Sequence, residues 1–202
     1  MMKTYTVLPV RGEPRWDEIP ALAVDCVLWG EDTGIRMTGQ FCYDEENLYV
    51  RQQAREKEIR ATHTGYLQQV CEDSCMEFFF APGEKGDERY FNVEINPNGC
   101  VHLGFRLGRK NSVQVVPKEM EKLLAVRTER TEDGWALCYR IPVTLVQLFY
   151  PDFRWEKGRE IRANCFKCGD CTARPHYLAW NPVTSETPDF HRYCDFGRLL
   201  FA

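Results

Sequence analysis

Residues 90–105 read YFNVEINPNGCVHLGF, and this stretch decides the fold class. Apolar side chains occupy every second position at 91–95 and again at 101–105, the period of two that a pleated strand imposes. Between them, Pro97 presets the backbone for a turn and Gly99 tolerates a positive φ. We therefore predict an antiparallel hairpin here.

The same alternation of short apolar runs and turn signals recurs along the chain. A second hairpin is predicted from residues 126–130 and 135–140 around the turn at 132–134. Residues 143–150 are compatible with one or two helical turns, whereas 117–124 fit either a short helix or a strand. Further strands are predicted at 23–28, 34–43, 47–54, 76–81, 160–166 and 197–201. So many short strands predict an all-β, antiparallel β-sandwich of two packed sheets, jelly-roll-like, with at most short helices.

The composition indicates a soluble globular chain with its own core. Hydrophobic residues make up 44% of the 202 residues and charged residues 28%, which favours one domain spanning 1–202. A net charge of −4 argues against nucleic-acid binding, which needs clustered basic residues. The densest basic stretch, residues 106–110, holds three cations and is interpreted as a solvated turn.

Compartment and thiol state are predicted together. The N-terminus lacks the apolar segment of a secretory signal, and no run approaches the roughly 20 apolar residues of a membrane span. We therefore expect a cytoplasmic protein with no membrane partner. Its ten cysteines are expected to be free and mostly small buried hydrophobes.

Six short motifs together carry a resemblance to a known family. In chain order they are DSCMEFFF (73–80), GWALCYRIP (134–142), KCGD (167–170), PHYLAWNP (175–182), PDFHR (188–192) and DFGRLLF (195–201). In this order the chain resembles the family 9 carbohydrate-binding modules, in particular a bacterial branch of stand-alone domains. The resemblance covers nearly the whole chain and implies a β-sandwich that recognises sugars.

The resemblance also implies a mode of binding. Characterised modules of that family hold the end of a glycan between two tryptophans, with amide and charged side chains bonded to its hydroxyls. Stacking is chemically reasonable because a pyranose has an apolar C–H face, while its desolvated hydroxyls need new hydrogen bonds. Trp180 matches one of the tryptophans. Residues 69–71, where the other is expected, read QVC.

Residues 164–192 concentrate polar and aromatic side chains that suit a sugar subsite. The structural alternative is that Trp180 packs between the sheets and the histidines bond to backbone carbonyls. Asn164 and Asp189 belong to the same segment. The predicted ligand-binding residues are Trp180, Asn181, Lys167, His176, His191, Arg192, Asp170 and Tyr177.

The sequence contains two candidate metal sites, and each has a structural interpretation. Cys165, Cys168 and Cys171 have C-x-x-C spacings that could bind zinc, with His176, Cys194 or His191 as the fourth ligand. This signal is weak, so no zinc is expected. A structural calcium could be held by Asp25, Asp44, Glu45 and Glu46, although solvated turns explain these residues equally well. We expect no cofactor.

No catalytic constellation emerges from the sequence. Glu77 and Glu94 could project from neighbouring strands as a glycosidase pair, but solvated outer-face positions are the favoured interpretation. The sequence therefore predicts non-catalytic binding of a mono- or oligosaccharide, in support of glycan degradation. The alternatives are a cysteine-dependent metal or redox protein, an accessory domain of a glycoside hydrolase with unseen catalytic acids, and a sandwich for protein interaction.

Overall fold

The structure is a computed structural model that describes residues 2–66, 68–117 and 119–202. Its sheet has fourteen strands, and short helices connect some of them. The strands are β1 Thr4–Pro9, β2 Leu22–Val24, β3 Cys26–Val27, β4 Arg36–Tyr43, β5 Asn47–Arg55, β6 Cys75–Ala81, β7 Tyr90–Ile95, β8 Val101–Leu107, β9 Asn111–Gln114, β10 Arg127–Thr131, β11 Gly134–Pro142, β12 Glu160–Cys168, β13 Tyr177–Ala179 and β14 Gly197–Phe201. The α-helices are α1 Met120–Leu124 and α2 Val143–Gln147.

The hairpin of β7 and β8 forms as its sequence predicts. The two strands pair antiparallel from Tyr90 opposite Arg106 to Ile95 opposite Val101. The Gly99 backbone N–H donates to the Asn96 carbonyl at 2.9 Å, and Gly99 has a φ of 77°. This positive φ explains why glycine closes the turn.

The sheet curls so that two halves face each other across a core. One half runs β10-β11-β5-β4 and the other runs β14-β12-β6-β7-β8-β9, with β1 joining them. β1 pairs parallel with both β14 and β4. The prediction of an all-β fold is confirmed, but the sheet is mixed rather than wholly antiparallel because β1 bridges the halves.

The main core lies between the two halves and is rich in aromatic side chains. Phe78 and Phe80 of β6 stack with ring centroids 5.3 Å apart, and Phe80 stacks on Phe91 of β7 at 5.0 Å. Trp135 of the opposite half is fully buried in the same cluster. Burying large apolar side chains of this kind stabilises the fold by about 1.5–3 kcal/mol each.

Local periodicity located most strands, with errors where the elements are short. Residues 23–28 form two strands, β2 and β3, instead of one. Residues 117–124 contain a helix, α1, and Lys118 lies outside the described residues. Strands β1, β9 and β13 were not predicted, since three to six residues give little alternation to detect.

Two predictions about chemistry and environment can be compared with the structure. All ten cysteines lie within the described residues and carry free thiols. In the described part of the chain, no helix is long and apolar enough to cross a membrane.

Candidate functional site

A groove of about 220 Å³ lies on the outer face of β12, β6, β7 and β8. Sheet register creates a row of facing side chains, in which Phe166 pairs with Glu77, Glu77 with Glu94, and Glu94 with His102. Directly opposed residues share a face of the sheet. Their neighbours Phe78 and Val93 belong to the main core. The row therefore faces away from the core and forms the floor of the groove.

Two buried carboxyl groups lie side by side on this floor. Glu77 and Glu94 are only 3% and 8% exposed, so the interpretation of them as solvated outer-face residues is wrong. Burial, and then the Glu94 carboxylate, raises the pKa of Glu77 well above its ordinary value. Burial also raises the pKa of Glu94, although His102 and the Asn92 amide oppose this. The floor thus offers carboxyl oxygens that can accept hydrogen bonds, and burial favours their protonated form.

Basic side chains line the next part of the groove. Arg106 lies in β8, where its Nε donates to Asn92 Oδ1 at 2.8 Å. Gly104 leaves the room for this contact, because a Cβ at that position would overlap Asn92 Oδ1. Arg109 donates to the Pro188 carbonyl at 2.8 Å, and both arginines line the groove. The predicted solvated turn at 106–110 is therefore present at the exposed Arg109 and Lys110, whereas Arg106 lies in a strand and is half-buried.

Three half-buried aromatic side chains also line the groove. Trp29 and Phe190 have centroids 5.5 Å apart, and Trp29 meets Tyr177 edge-on at 5.8 Å. The Trp29 indole N–H donates to the Ser185 carbonyl at 2.8 Å, which fixes its ring. Phe190 stacks flat on the buried Phe166 at 4.2 Å. We call Trp29, Tyr177 and Phe190 the aromatic wall.

His191 is packed at the edge of the groove floor. Its ring stacks on Phe79 at 5.1 Å, and its Nδ1 lies 3.0 Å from the Tyr90 hydroxyl. Burial lowers the pKa of His191 to about 3, with smaller contributions from Arg106, Arg109 and His102. A neutral imidazole whose Nδ1 accepts from Tyr90 carries its proton on Nε2. In that tautomer His191 can donate one hydrogen bond from Nε2.

We expect His191 to make stability fall as the pH falls. Its folded-state pKa lies below its ordinary value of 6.5, so the unfolded chain binds more protons below that value. Between pH 8 and pH 5 this group alone should remove about 2 kcal/mol of unfolding free energy, a loss His191→Gln should escape. Urea denaturation of both proteins at both pH values measures it. Equal losses in the two proteins would show that folded His191 accepts a proton.

The structure brings only part of the predicted site together. Asp170, Tyr177 and His191 line the groove, as does Asp189. Arg192 turns away, because its Nε donates to Asp195 Oδ2 at 2.9 Å. Asn181 is buried, where it accepts from the Lys3 backbone N–H and donates to the Asp195 carbonyl.

Trp180 is a core residue, which corrects the expectation of an exposed stacking ring. It is 4% exposed and belongs to the main core. The Trp180 backbone N–H donates to the Cys165 carbonyl, so the segment after β13 continues along β12. Because side chains alternate, Leu178 and Trp180 point into the core, and Tyr177 points to the groove. The ring also packs against Gly197, where a Cβ would lie 2.7 Å from Trp180 Cζ3.

Lys167 and His176 belong to a buried polar network instead of the groove. The Lys167 side chain is fully buried, and its Nζ lies 3.1 Å from Glu56 Oε2 and 2.8 Å from His176 Nε2. Glu56 also accepts from Ser74 and from the Trp135 indole. Burial and the Lys167 charge lower the pKa of His176 to about 4. His176 Nδ1 contacts the Arg174 carbonyl, which is the structural alternative considered for the histidines.

The surroundings of the C-x-x-C cysteines and of the acidic turn residue Asp44 do not match the metal sites considered for them. Cys165 lies in the main core on the opposite face of β12 from Cys168, and Cys171 is exposed. Asp44 accepts from the backbone N–H groups of Glu46 and Asn47, which is a turn. A different set, Cys75, Glu77 and Cys168, places its possible ligand atoms within 4.8 Å of one another.

Several residues that line the groove were not predicted from the sequence to contact a ligand. They are Glu77, Glu94, His102, Arg106, Arg109 and Trp29. For Glu77 and Glu94, the polar positions inside otherwise apolar strands were the available signal. Trp29 reaches the site through the pairing of β3 with β13, a contact between segments about 150 residues apart that local patterns do not encode. Gln69 and Cys71 also line the groove, at the position where the resemblance implies a second tryptophan.

Comparison with known proteins places the fold and groove in a family. The sequence model described as "Carbohydrate-binding family 9" matches residues 15–201. The chain belongs to carbohydrate-binding family 9. Because it belongs to this family, the family 9 chain is a carbohydrate-binding protein, as its motifs indicate. A search of curated proteins found no match.

Solved structures share the architecture of this family 9 chain. A protein from Bacteroides uniformis, provisionally described as carbohydrate-binding, has 24% identity and a TM-score of 0.85, with 100% of both chains covered. A family 9 module from Caldicellulosiruptor kristjanssonii, solved with glucose, has 11% identity and a TM-score of 0.69, covering 99% of this chain and 96% of that one. Its complex with cellotriose has 11% identity and a TM-score of 0.70, covering 98% and 93%.

Proposed function

We propose that this protein binds the end of a mono- or oligosaccharide in the groove between the aromatic wall and Arg106. The observation that carries the proposal is the joint placement of three half-buried rings and several hydrogen-bonding groups around one concave space. Ligand sites are concave, with aromatic lining and a few convergent polar groups. At about 220 Å³ the groove is smaller than the 300 Å³ or more of a typical drug-sized site, which favours one or two sugar units.

The residues that line the groove supply the two interactions that a sugar needs. The aromatic wall offers ring faces and edges to the apolar C–H face of a pyranose, a contact favoured by burial of apolar surface. Glu77, Glu94 and Arg106 offer acceptors and donors that replace the water lost by the hydroxyls. A sugar that makes both kinds of contact is bound in a defined orientation.

The proposed activity is binding without hydrolysis. Glu77 and Glu94 are neighbours on one face of a sheet, whereas glycosidases place their two carboxyl groups on either side of the scissile bond. Both carboxyls also have raised pKa values, which disfavours a permanently ionised nucleophile. In a degradation system this chain would supply recognition, while partner enzymes supply the chemistry.

The test is calorimetric titration with glucose and cellotriose, the ligands of the two family 9 complexes. Trp29→Ala should weaken the affinity of the better ligand at least about tenfold, because it removes an aromatic contact and its buried area. Trp16→Ala is the matched control, since Trp16 is also partly buried but lines a different groove. Equal affinities in wild type and Trp29→Ala would refute the aromatic wall. Release of reducing sugar would refute the non-catalytic role.

A further inference from the structure

Two thiols and a carboxyl group converge at one end of the groove floor. Cys75 of β6 and Cys168 of β12 are directly paired in the antiparallel register. The Cys168 thiol donates to Glu77 Oε1 at 3.0 Å, and the three possible ligand atoms lie within 4.8 Å of one another. All three residues are buried. Such a convergence is unusual for isolated hydrophobic cysteines, which need no polar partner.

The donor types and their spacing suit a zinc ion. Zn²⁺ takes cysteine sulfur at about 2.3 Å and carboxylate oxygen at about 2.0–2.2 Å in tetrahedral geometry. Around such an ion two sulfur ligands lie about 3.8 Å apart. Because the present atoms are already within 4.8 Å, small side-chain rotations would bring them into range. Hard cations such as Ca²⁺ prefer oxygen ligands and fit this set poorly.

The position of the cluster leaves one side of an ion accessible. Glu77 and Cys168 line the groove, while Cys75 lies behind them in a small apolar cluster with Val70. The fourth coordination position would therefore face the groove. Cys71, a further thiol, lines the groove on that side, outside the group of three donors.

Nearby charge would offset the negative ligands. Two thiolates and one carboxylate around a dication leave a net charge of −1. The Lys167 ammonium group interacts electrostatically with both Cys75 and Glu77, although its side chain lies on the other face of β12. Arg106 lines the same groove. This offset is partial, because Lys167 also pairs with Glu56 and the Glu94 and Asp170 carboxyls add negative charge near the cluster.

We propose that Cys75, Cys168 and Glu77 bind Zn²⁺ at the floor of the groove, with the fourth position open toward it. On binding, each thiol releases its proton to solvent as its sulfur takes the ion, and Glu77 does the same if it is protonated. No bond is oxidised or reduced. The ion would present a Lewis acid to a water molecule or to a sugar hydroxyl in the groove.

Metal titration of reduced, chelator-treated protein tests this proposal. Co²⁺ is the spectroscopic probe, since thiolate coordination gives intense charge-transfer absorption, and Zn²⁺ should displace it at one equivalent. Cys168→Ser should weaken Zn²⁺ binding at least about 100-fold. Loss of an outer-shell partner already costs up to about 100-fold in metal affinity, and Cys168 would bind the ion directly. Cys165→Ala is the matched control, because Cys165 is a buried cysteine of the same strand on its other face.

The outcomes separate this proposal from sugar binding. Absence of thiolate absorption in wild type, or equal Zn²⁺ affinity in Cys168→Ser and wild type, would overturn the metal site. If Cys168→Ser loses its folded circular dichroism, Glu77→Gln, which keeps both thiols, should still lower Zn²⁺ affinity. Glycan titration of the chelator-treated protein tests the groove independently. Sugar binding without metal binding overturns only the zinc proposal, and metal binding without sugar binding overturns only the proposed function.

Discussion

Trp180→Ala should lower the free energy of unfolding by about 3–5 kcal/mol, the cost of truncating a large aromatic residue in a core. Trp180 is 4% exposed and packs against Gly197 between the sheet halves. Its loss leaves a cavity that the surrounding strands cannot readily close, because neighbouring positions are held in register by β12 and β14. Urea denaturation measures the change.

Sugar affinity distinguishes this account of Trp180 from a ligand contact. Measured well below the melting temperature, the folded Trp180→Ala protein should bind cellotriose as wild type does. Trp29→Ala provides the comparison, with most of its stability retained and its affinity lost. A Trp180→Ala protein of nearly normal stability that no longer binds the sugar would contradict the core assignment.

Lys167→Met should also cost about 3–5 kcal/mol of unfolding free energy, for an electrostatic reason. The substitution leaves the Glu56 carboxylate buried without its cation, whose Nζ lies 3.1 Å away. Removing one partner of a buried ion pair is strongly destabilising because the remaining charge is uncompensated. Chemical denaturation of the single variant measures the loss.

A double variant tests whether the uncompensated charge is the cause. Glu56→Gln removes the negative charge and keeps an amide that can serve Ser74 and Trp135. Glu56→Gln/Lys167→Met should therefore be more stable than Lys167→Met alone, with a coupling energy of roughly 1–3 kcal/mol. Strictly additive losses would mean that Lys167 contributes by packing and not by charge.

The fold could be predicted well from local pattern. The β7–β8 hairpin combines clean alternation with a Pro-Gly turn, and both strands form with the expected pairing. The parallel pairing of β1 with β14 could not be predicted, since it joins residues 4–7 to residues 198–201. Nothing in either short segment specifies a partner at the other end of the chain.

The site was harder to predict because it depends on which face each side chain occupies. Tyr177 and Trp180 were both assigned to the sugar site, although a pleated strand sends positions three apart to opposite faces. Leu178 is an apolar residue two positions before Trp180 and therefore on the same face of the strand. It was the available signal that this face is the core face. Lys167 lies two positions after the core residue Cys165, so both side chains share a face of β12. The core-side position of Lys167 could have been predicted in the same way.

The carboxyl pair shows the limit of such reasoning. The alternation of side chains assigns Glu77 and Glu94 each to one face of its strand. Only the register between β6 and β7 makes them direct neighbours. Register is set by the whole hydrophobic pattern and by connections. The connection between β6 and β7, residues 82–89, contains Pro and Gly but is too long for the two-residue hairpin turn that would fix it.

The most direct test of the account is an NMR titration of isotope-labelled protein with cellotriose. The signals to monitor are the indole N–H resonances of its five tryptophans. Single substitutions to phenylalanine assign each signal. The account predicts that the Trp29 resonance shifts with saturation while that of Trp180, buried between the sheet halves, stays in place. A shift of Trp180 with Trp29 unmoved would contradict the proposed groove, as would saturable binding that moves neither.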